Sequence, residues 1–541
     1  MLNFNYNINR FDIAATVGWT GRYENINNMR VSTNGGLVTE NWFDLNASRY
    51  TPSSTLQRME LLKTGYMGTL SLGWDNYLFL ELTGRQERSS TLKDQSFFYP
   101  SANLSFLFTQ AFHMPSWWNY GKLRLSYGIV GNAPETYTAN IVYEQGSDNG
   151  FTWNTIPSSW GNADIRPEKK YEYEIGLESK FLNNRLGIDV SYYNNRVKDQ
   201  ILSTPQPSTS GVKNVLMNVG EVANHGWDIS ISATPILTRD FRWDLTANYG
   251  VYKNKVVKLA DGVPYLEILN SGGSGIKIQA VEGQPMGDIY AQVPQVNENG
   301  EYLVSDKGLY LNQTELQKVG NINPAGVGGL FNSFSYKNVF LDFSIDFRIG
   351  GDVINEMNQY ATAVGLTPES LKYRDTEHGG LSYYYPGDNN SSGIPVQVDP
   401  STGAGPNGEI IYHDGIILPG VVASTGERNT RIIPAGYYYN TTYNWGTEAE
   451  QLTYRHSVFD NSYVKLRELT IGYQFPEKII SKLGLGRLSV SVFGRNLFYF
   501  YKALKNYDAE SSVGTSWANQ ATVGSSTTAT RSFGVSLRAS F

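Results

Sequence analysis

Hydrophobic and polar residues alternate at every second position through much of this chain. In the stretch 241–251, FRWDLTANYGV, every odd position from Phe241 to Val251 is apolar or aromatic, whereas Arg242 and Asp244 lie between them. This period is typical of a β-strand with one apolar and one polar face. The same alternation predicts about fifteen strands, near residues 2–8, 11–23, 64–73, 77–85, 99–110, 121–130, 170–180, 185–199, 226–232, 241–252, 328–336, 339–349, 463–475, 487–498 and 531–541.

The final stretch, TRSFGVSLRASF (530–541), repeats the pattern up to the last residue. Phe533, Val535 and Leu537 alternate with serine, glycine and arginine, and the series closes on Phe541. A strand of this kind has one wholly apolar face. We therefore predict a chain that ends within a strand.

The connections between the predicted strands alternate between short and long. The short ones are 74–76, 182–185, 233–240, 336–338 and 476–486, and the longer ones are 86–98, 200–225, 253–327, 350–462 and 499–530. Such alternation is typical of a transmembrane β-barrel, which has short periplasmic turns and long extracellular loops. An array of soluble β-sandwiches or a propeller remains the alternative, although no repeat of about 40–50 residues is evident.

The composition agrees with a strand-built membrane protein. The chain has 37 tyrosines, 24 phenylalanines and 11 tryptophans, yet its mean hydropathy is only -0.36. Aromatic rings of this type suit a surface that is dry at one end and wet at the other. The net charge of -6 gives no basic footprint for nucleic acid, and the lack of cysteine excludes disulfides and thiolate chemistry. No apolar run of about 18 residues predicts a membrane helix.

Candidate catalytic groups are few. Glu172, Glu174 and Glu178 share one face of a predicted strand, as the acid pair of a glycosidase would, but the polar wall of a water-filled barrel explains them better. The five histidines have no metal-binding spacing; they are His113, His225, His378, His413 and His456. We therefore expect no catalytic residue, no cofactor and no metal site.

The predicted long loops carry two further signals. Asn299–Gly300 and Lys307–Gly308 predict hairpin turns within the segment 296–311, although its many oxygen-bearing side chains would also suit calcium. Aromatic residues cluster in three loop stretches, and for each single ring we expect packing more than ligand binding. These stretches are 153–160, 383–386 and 436–440.

Seven stretches, in this order, resemble one known family. They are GYMGTLSLGWDNYLFLELTGRQERSS (65–90), KLRLSYGIVGN (122–132), EYEIGLESKFLNNRLGIDVSYYNNRVKDQIL (172–202), NVGEVANHGWDISIS (218–232), VGGLFNSFSYKNVFLDFSIDFRIGGDV (327–353), DNSYVKLRELTIGYQFP (460–476) and LGLGRLSVSVFGRNLFYF (483–500). With the terminal strand, they make the chain similar to the C-terminal barrel of the SusC/RagA-type TonB-linked outer-membrane transporters of Bacteroidota, a class of TonB-dependent receptor.

The resemblance implies an antiparallel barrel in the outer membrane that imports a large nutrient, either a glycan or a peptide. It implies energy from TonB–ExbB–ExbD and a SusD-like surface lipoprotein that acts as a lid and contacts the loops 253–327 and 350–462. It also implies that the terminal strand is read by the barrel-assembly machinery. The residues of that signal would be Phe541, Phe533, Val535 and Leu537.

The chain also departs from the family pattern. About fifteen strands are predicted where such transporters have about 22, and residues 1–541 show no signal peptide, carboxypeptidase-regulatory-like domain, TonB box or plug. We therefore expect residues 1–541 to be the C-terminal part of the barrel, its first strand corresponding to about the eighth. Unpaired edges at 2–8 and 531–541 would each expose backbone groups to hydrocarbon, so we expect no stable barrel from this chain alone.

Two other functional classes remain open at this point. A passive porin or structural barrel would share the alternating strands, and a secreted all-β carbohydrate-active enzyme would need two carboxyl groups about 5–10 Å apart in a cleft. The sequence does not distinguish a glycan from a peptide as the transported substrate.

Overall fold

The computed structural model describes residues 1–93, 96–148, 151–271, 275–387, 393–444, 453–481, 484–512, 514, 516–524 and 529–540. In these residues fifteen strands follow one another in one hydrogen-bonded order, which is also their order along the chain. They are β1 (Leu2–Ile8), β2 (Phe11–Leu37), β3 (Ser48–Trp74), β4 (Leu78–Ser89), β5 (Ser96–Phe106), β6 (Trp118–Asn132), β7 (Glu168–Phe181), β8 (Leu186–Lys198), β9 (Glu221–Leu237), β10 (Phe241–Lys258), β11 (Gly326–Tyr336), β12 (Val339–Ile349), β13 (Tyr463–Gln474), β14 (Arg487–Lys502) and β15 (Ser532–Ser540). The fifteen predicted strands are therefore confirmed.

The chain divides into two compact units. The first comprises Met1–Ile231 with Lys253–Pro264, and the second comprises Ser232–Tyr252 with Tyr265–Phe541. Within the first unit β1 to β8 pair antiparallel in sequence. Within the second unit β10 to β15 do the same.

The register of the first unit collects its apolar residues on one face. Ala15 lies opposite Phe4 and Leu70, and Leu82 lies opposite Leu70 and Ala102. This face is not buried by protein: Phe4 is 59% exposed and Leu82 is 40% exposed. A soluble sheet would bury such a face against a second layer, whereas a membrane barrel turns it to lipid.

The second unit shows the same arrangement. Phe334 lies opposite Leu341, and Leu341 lies opposite Ile471. The row continues through Val492 to Val535. Because successive side chains of a strand point to opposite faces, a single register shift of one residue would reverse this pattern. The apolar row therefore specifies the pairing of these strands.

Aromatic side chains flank the apolar face of the first unit beside the short connections. Phe11 stacks on Trp74 with ring centroids 6.5 Å apart, and Trp117 stacks on both Trp118 and Phe181 at 6.0 Å. Such rings are enriched where a membrane meets water. They mark one edge of the apolar band.

A second aromatic pair marks the other edge of that band. Trp19 lies opposite Tyr66, and both side chains are exposed. From Phe11 to Trp19 the strand advances roughly 26 Å at about 3.3 Å per residue. With the tilt of about 35–45° that barrel strands have, this length crosses roughly 19–22 Å, most of the apolar band of about 25 Å that surrounds outer-membrane barrels.

The connections alternate between short and long as predicted, except that 107–117 is longer than 90–95, which precedes it. Those after odd-numbered strands are 9–10, 75–77, 107–117, 182–185, 238–240, 337–338 and 475–486, and those after even-numbered strands are 38–47, 90–95, 133–167, 199–220, 259–325, 350–462 and 503–531. The predicted long loop 86–98 is wrong in extent, because β4 and β5 continue and leave only 90–95 between them. All the longest connections follow even-numbered strands.

The predicted ends of four strands are also wrong, and one of them is β10, which was predicted to end at 252 and continues to Lys258. The segments predicted at 11–23 and 64–73 extend into the hairpin formed by β2 and β3, and the segment predicted at 226–232 is the middle of β9. The outer part of the hairpin, residues 24–37 of β2 and 48–63 of β3, was missed because neither of its faces is buried. Met29 lies opposite Leu56, and these side chains are 71% and 73% exposed.

The long connections contain secondary structure of their own. The helices are α1 (Phe108–Ala111) and α4 (Glu477–Ile480), both in connections after odd-numbered strands, and α2 (Glu356–Ala363) and α3 (Ala435–Tyr443), both in the loop 350–462. The 3₁₀ turns are Leu45–Ala47, Ser208–Ser210, Pro368–Leu371, Pro400–Thr402, Tyr454–Ser457 and Asn519–Ala521. The additional strands are Glu144–Asp148, Phe151–Thr155, Ser159–Trp160, Ile201–Pro205, Asn214–Asn218, Tyr265–Ser271, Ile276–Val281, Asp288–Ala291, Leu303–Val304, Gln317–Asn321, Asp352–Ile354, Leu381–Tyr384, Val396–Gln397, Tyr412–Ile416, Val421–Val422, Ile433–Pro434 and Val458–Asp460.

The long loops of the second unit have a hydrophobic core. Ile276, Ile278 and Ile289 from the loop 259–325 are fully buried and pack with Ile354 and Val458 from the loop 350–462. Such burial stabilises each large aliphatic side chain by about 1.5–3 kcal/mol. These loops are therefore folded elements that hold their surface residues in place.

The two hairpin turns predicted in the loop 259–325 are confirmed. Gly300 has a φ of 80° and Gly308 a φ of 86°, a conformation that glycine adopts without steric cost. The backbone N–H of Asn297 donates to the carbonyl of Glu301, and that of Ser305 donates to the carbonyl of Leu309. Each Gly therefore lies in a tight turn.

An ion-pair network fixes the last loop, 503–531, to β13. The Glu510 carboxylate accepts from Lys465 Nζ at 2.5 Å and from Arg467 Nη1 at 2.9 Å. Lys465 is buried, and Arg467 also donates to Asp346 of β12 at 2.6 Å. Burial alone would raise the pKa of Glu510, but the bonds from Arg467 and Lys465 outweigh it and lower the pKa to about 2.

We predict that the exposed apolar face tolerates charge far less than the opposite face. In the full protein folded into phospholipid vesicles, Leu82→Arg should lower the free energy of unfolding by about 2–4 kcal/mol, the cost of arginine near the bilayer midplane. Asn103→Arg, on the polar face beside Glu81, is the matched control and should have little effect. Urea titration measures both, and equal losses would contradict the assignment of the two faces.

We also predict that Glu510→Gln loosens the loop 503–531 at neutral pH. The lost charged hydrogen bonds are worth about 1.5–3 kcal/mol, so hydrogen exchange of residues 505–512 should become faster. Glu468→Gln is the control, because Glu468 pairs with Arg495 at an exposed site where such pairs contribute little.

The same contribution should depend on pH in the wild-type protein. The pKa of Glu510 is depressed in the folded state, so its contribution is fully present above the unfolded pKa of about 4.3. It is lost as the pH falls toward about 2. Unchanged exchange in the Glu510→Gln protein would show that the network does not hold the loop.

Candidate functional site

A polar face lies opposite the apolar face in the first unit. Arg124 of β6 lies on this face, and its guanidinium donates to Asp189 at 2.6 and 3.1 Å and to Ser191 at 3.1 Å. Glu178 lies 3.6 Å from the same guanidinium. The paired arrangement neutralises charge between neighbouring strands, so this part of the face is polar with its charges compensated.

The three glutamates considered as catalytic candidates lie on this polar face. Glu178 is paired with Arg124, and Glu172 accepts a hydrogen bond from Asn195 at 3.1 Å. Asn195 in turn accepts from Asn224 of β9 at 2.8 Å. These partners belong to a polar wall, which favours the wall interpretation over a glycosidase pair.

The polar face of the second unit is built in the same way. Ser333 donates to Asp342 at 2.6 Å, and Arg495 donates to Glu468 at 3.0 Å. Such cross-strand pairs hold side chains in fixed positions along the face. A solute that passes along this surface would meet alternating donors and acceptors.

The aromatic residues of the stretch 383–386 pack inside the loop 350–462. Tyr383 and Tyr385 are both buried, and their rings lie 5.4 and 5.7 Å from that of Tyr412. Burial and the nearby Asp414 carboxylate raise the pKa of Tyr383, so its hydroxyl stays protonated and donates to Asp414 at 3.0 Å. The packing role expected for these rings is confirmed.

The stretch 436–440 also contributes to the interior of this loop. Tyr439 is buried, and burial, with smaller effects of Tyr373 and Glu369, raises its pKa to about 12. By contrast, Tyr437 is partly exposed, as is Trp153 in the stretch 153–160. Only the exposed rings of these stretches are placed to meet a ligand.

Three of the histidines, His378, His413 and His456, have partners within the loops. His456 stacks on Tyr443 with centroids 4.5 Å apart, and burial, aided by Arg455, lowers its pKa to about 4. His378 lies 2.7 Å from Asp375. Among the residues that the structure describes, no group of three or more histidine, aspartate or glutamate side chains could hold a metal ion.

The terminal strand presents its apolar face as expected. Phe533, Val535 and Leu537 are 74%, 72% and 69% exposed. Their strand, β15, pairs with β14. Phe541, the fourth residue of the expected assembly signal, lies outside the described residues.

Sequence reasoning missed the network of Lys465, Arg467 and Glu510. Its partners are separated by more than forty residues in sequence, and no spacing rule connects a loop carboxylate to a strand cation. The sequence did contain one signal. Lys465 and Arg467 are two positions apart in a predicted strand, so both fall on the face that the alternation predicts to be apolar.

The comparisons with known proteins agree with these faces and connections. The family model described as TonB dependent receptor-like, beta-barrel, matches residues 2–289, more than half of the chain. TonB-dependent receptor P3 of Formosa agariphila is 24% identical over 494 residues, covering 83% of this chain and 42% of that protein. TonB-dependent receptor SusC of Bacteroides thetaiotaomicron is 30% identical over 247 residues, covering 42% of this chain and 24% of SusC.

Among solved structures, a chain in the structure of the RagAB peptide transporter has a similar fold. The TM-score is 0.66 at 18% identity, and the match covers 92% of this chain and 51% of that one. The chain thus spans about half of that structure and less of the two sequence relatives. Among the described residues no helix is both long and apolar enough to cross a membrane.

The resemblance drawn from seven stretches of sequence is therefore confirmed by the family model and by the relatives. The all-β, antiparallel fold and the location in the outer membrane are confirmed with it. This chain belongs to the TonB-dependent receptor-like β-barrel family.

Proposed function

We propose that the protein containing this chain actively imports a large nutrient across the outer membrane, and that residues 1–541 supply the C-terminal part of its barrel. The observation that carries the proposal is the combination of two faces on one set of strands. An apolar face meets lipid, and an ion-paired polar face, exemplified by Arg124 and Asp189, lines the route. No catalytic step is part of this proposal.

Energy would come from TonB–ExbB–ExbD, acting through an N-terminal part of the protein that precedes the barrel segment described here. A SusD-like surface lipoprotein would cover the mouth and contact the loops 259–325 and 350–462. The resemblance to SusC/RagA-type transporters supports this partner, since SusC is a relative and a chain of the RagAB structure shares the fold. The folded core of these loops, built around Ile276 and Ile354, would give the lid a rigid surface.

The substrate class remains a glycan or a peptide in this proposal. The polar face offers both donors and acceptors, for example Arg495 and Glu468. Neither class of substrate would need an apolar route. A passive porin would share this wall but would need no energy, and that difference defines the test.

We predict that uptake through this protein requires the proton-motive force. Cells that express the complete gene should accumulate fluorescently labelled oligosaccharides or peptides, whereas a deletion strain should not. An uncoupler should reduce accumulation at least tenfold, because TonB transmits energy from the inner membrane. Uptake that persists in uncoupled cells would instead favour a passive porin.

We further propose that β15 is the segment read by the barrel-assembly machinery. Its exposed apolar residues Phe533, Val535 and Leu537 support this role, since an assembly factor could bind them before the strand is embedded in lipid. The final residue Phe541 would complete the signal.

We predict that deletion of Phe541 lowers the amount of assembled barrel several-fold without changing synthesis. Heat-modifiable migration on a gel measures the folded fraction in outer-membrane preparations. Ser540→Ala is the control, because residue 540 lies on the polar face of the alternation. Equal amounts of folded barrel from both variants would show that Phe541 is not part of the assembly signal.

A further inference from the structure

A cavity of about 470 Å³ opens in the loop 350–462. Four segments of this one loop build it: the end of α2, the 3₁₀ turn Pro368–Leu371, the strand Tyr412–Ile416 and the start of α3. Its volume falls within the range of about 300–1,000 Å³ typical of small-molecule sites. We refer to it as the loop cavity.

The floor of the loop cavity is rigid. Thr362 shares a hydrogen bond with Thr367 at 2.9 Å, and Ser370 donates to the carbonyl of Thr367 at 2.6 Å. The hydroxyl of Tyr439 donates to the carbonyl of Glu369 at 2.9 Å. Thr362, Ser370 and Tyr439 are all buried, so the floor keeps its shape without a ligand. Such preorganisation reduces the entropic cost of binding.

The rim of the loop cavity, in contrast, carries unused hydrogen-bonding capacity. The exposed guanidinium of Arg374 has five N–H donors, and among the described residues it makes one hydrogen bond, to the carbonyl of Gly365 at 3.3 Å. One carboxylate oxygen of Asp414 accepts from Tyr383 at 3.0 Å. Within the described part of the chain, the other oxygen and the side-chain amide of Asn440 make no hydrogen bond.

These groups suit a ligand rich in hydroxyls. Each sugar hydroxyl both donates and accepts, so the hydroxyls of one sugar ring can donate to a carboxylate such as Asp414 and accept from a cation such as Arg374, both of which line the cavity. The opposite charges of these two residues leave no excess charge to select an ion. We propose that the loop cavity binds a sugar unit of a neutral oligosaccharide.

A peptide fits this site less well. Extended peptides are commonly held by adding a strand to a free sheet edge. The strand Tyr412–Ile416 has no such edge, because it pairs with Leu381–Tyr384 on one side and with Ile433–Pro434 on the other. Ile433–Pro434 is an edge strand of this sheet, but it has only two residues and Pro434 has no backbone N–H to donate. The cavity therefore offers side chains rather than a backbone ladder, and side chains that bind hydroxyls favour a saccharide.

The inference rests on the proposed import function in one respect, because the loop 350–462 must face the medium to meet a substrate. Given that orientation, the loop cavity is a first contact for an oligosaccharide at the cell surface. Binding of a sugar unit in the loop cavity would narrow the proposed class of transported substrate from glycan or peptide to glycan.

The test is binding by the full-length receptor purified in detergent. It is first applied to an array of neutral oligosaccharides and a peptide library, and the tightest saccharide is then titrated by calorimetry. Arg374→Gln and Asp414→Asn should each weaken binding at least tenfold. Asn at 414 keeps an oxygen for the Tyr383 hydroxyl, so the loop should remain folded. Arg428→Gln changes an exposed arginine of the same loop outside the cavity and should leave binding unchanged.

Three results would overturn the inference: no saccharide bound by the wild-type receptor, binding that survives both cavity variants, or a peptide bound in a way that those variants abolish. The import proposal is judged separately by uptake in uncoupled cells. A receptor that binds saccharide through Arg374 and Asp414, yet takes up substrate without energy, would support sugar binding in the loop cavity and contradict the proposal of active import.

Discussion

Pairing of the backbone is the constraint on which the rest of this structure depends. Each unpaired N–H or C=O in hydrocarbon costs several kcal/mol, so a chain that crosses the membrane by strands must place them in one continuous ladder. The fifteen described strands follow this requirement in the simplest order, each beside its neighbours in sequence. Once the ladder exists, the period of two assigns alternate side chains to lipid and to water.

This constraint divides the sources of stability between sheet and loops. On the strands, large apolar residues such as Leu82 are exposed to the surroundings, so protein packing contributes little there and lipid contributes instead. In the loops, by contrast, protein packing supplies the stability, because Ile276 and Ile278 are fully buried in a hydrophobic core like that of a soluble protein. Contacts such as Lys465 with Glu510 then connect a folded loop to a strand end.

The same division explains what could be predicted from sequence. The strands were predictable because lipid imposes an apolar residue at every second position, from Phe241 to Val251 for example. The outer part of the β2–β3 hairpin was not, since Met29 and Leu56 are exposed there and no face imposes a pattern. Two turns were predictable from glycine alone. The loop cavity was not, because its walls come from segments that only tertiary packing brings together.

Selectivity is therefore expected in the loops more than along the wall. On the polar face, Arg124 already satisfies Asp189 and Ser191, and a solute could bind there only by breaking these bonds. Such a surface is polar but would hold a passing solute weakly, as the proposed import requires. At the rim of the loop cavity, Arg374 and Asp414 have donors and acceptors left for a ligand, whereas the hydroxyls of the floor already form hydrogen bonds within the protein. A site that selects a substrate needs unused donors and acceptors on a rigid support, and the loop 350–462 has both, which is why the proposed sugar site is placed there and not on the wall.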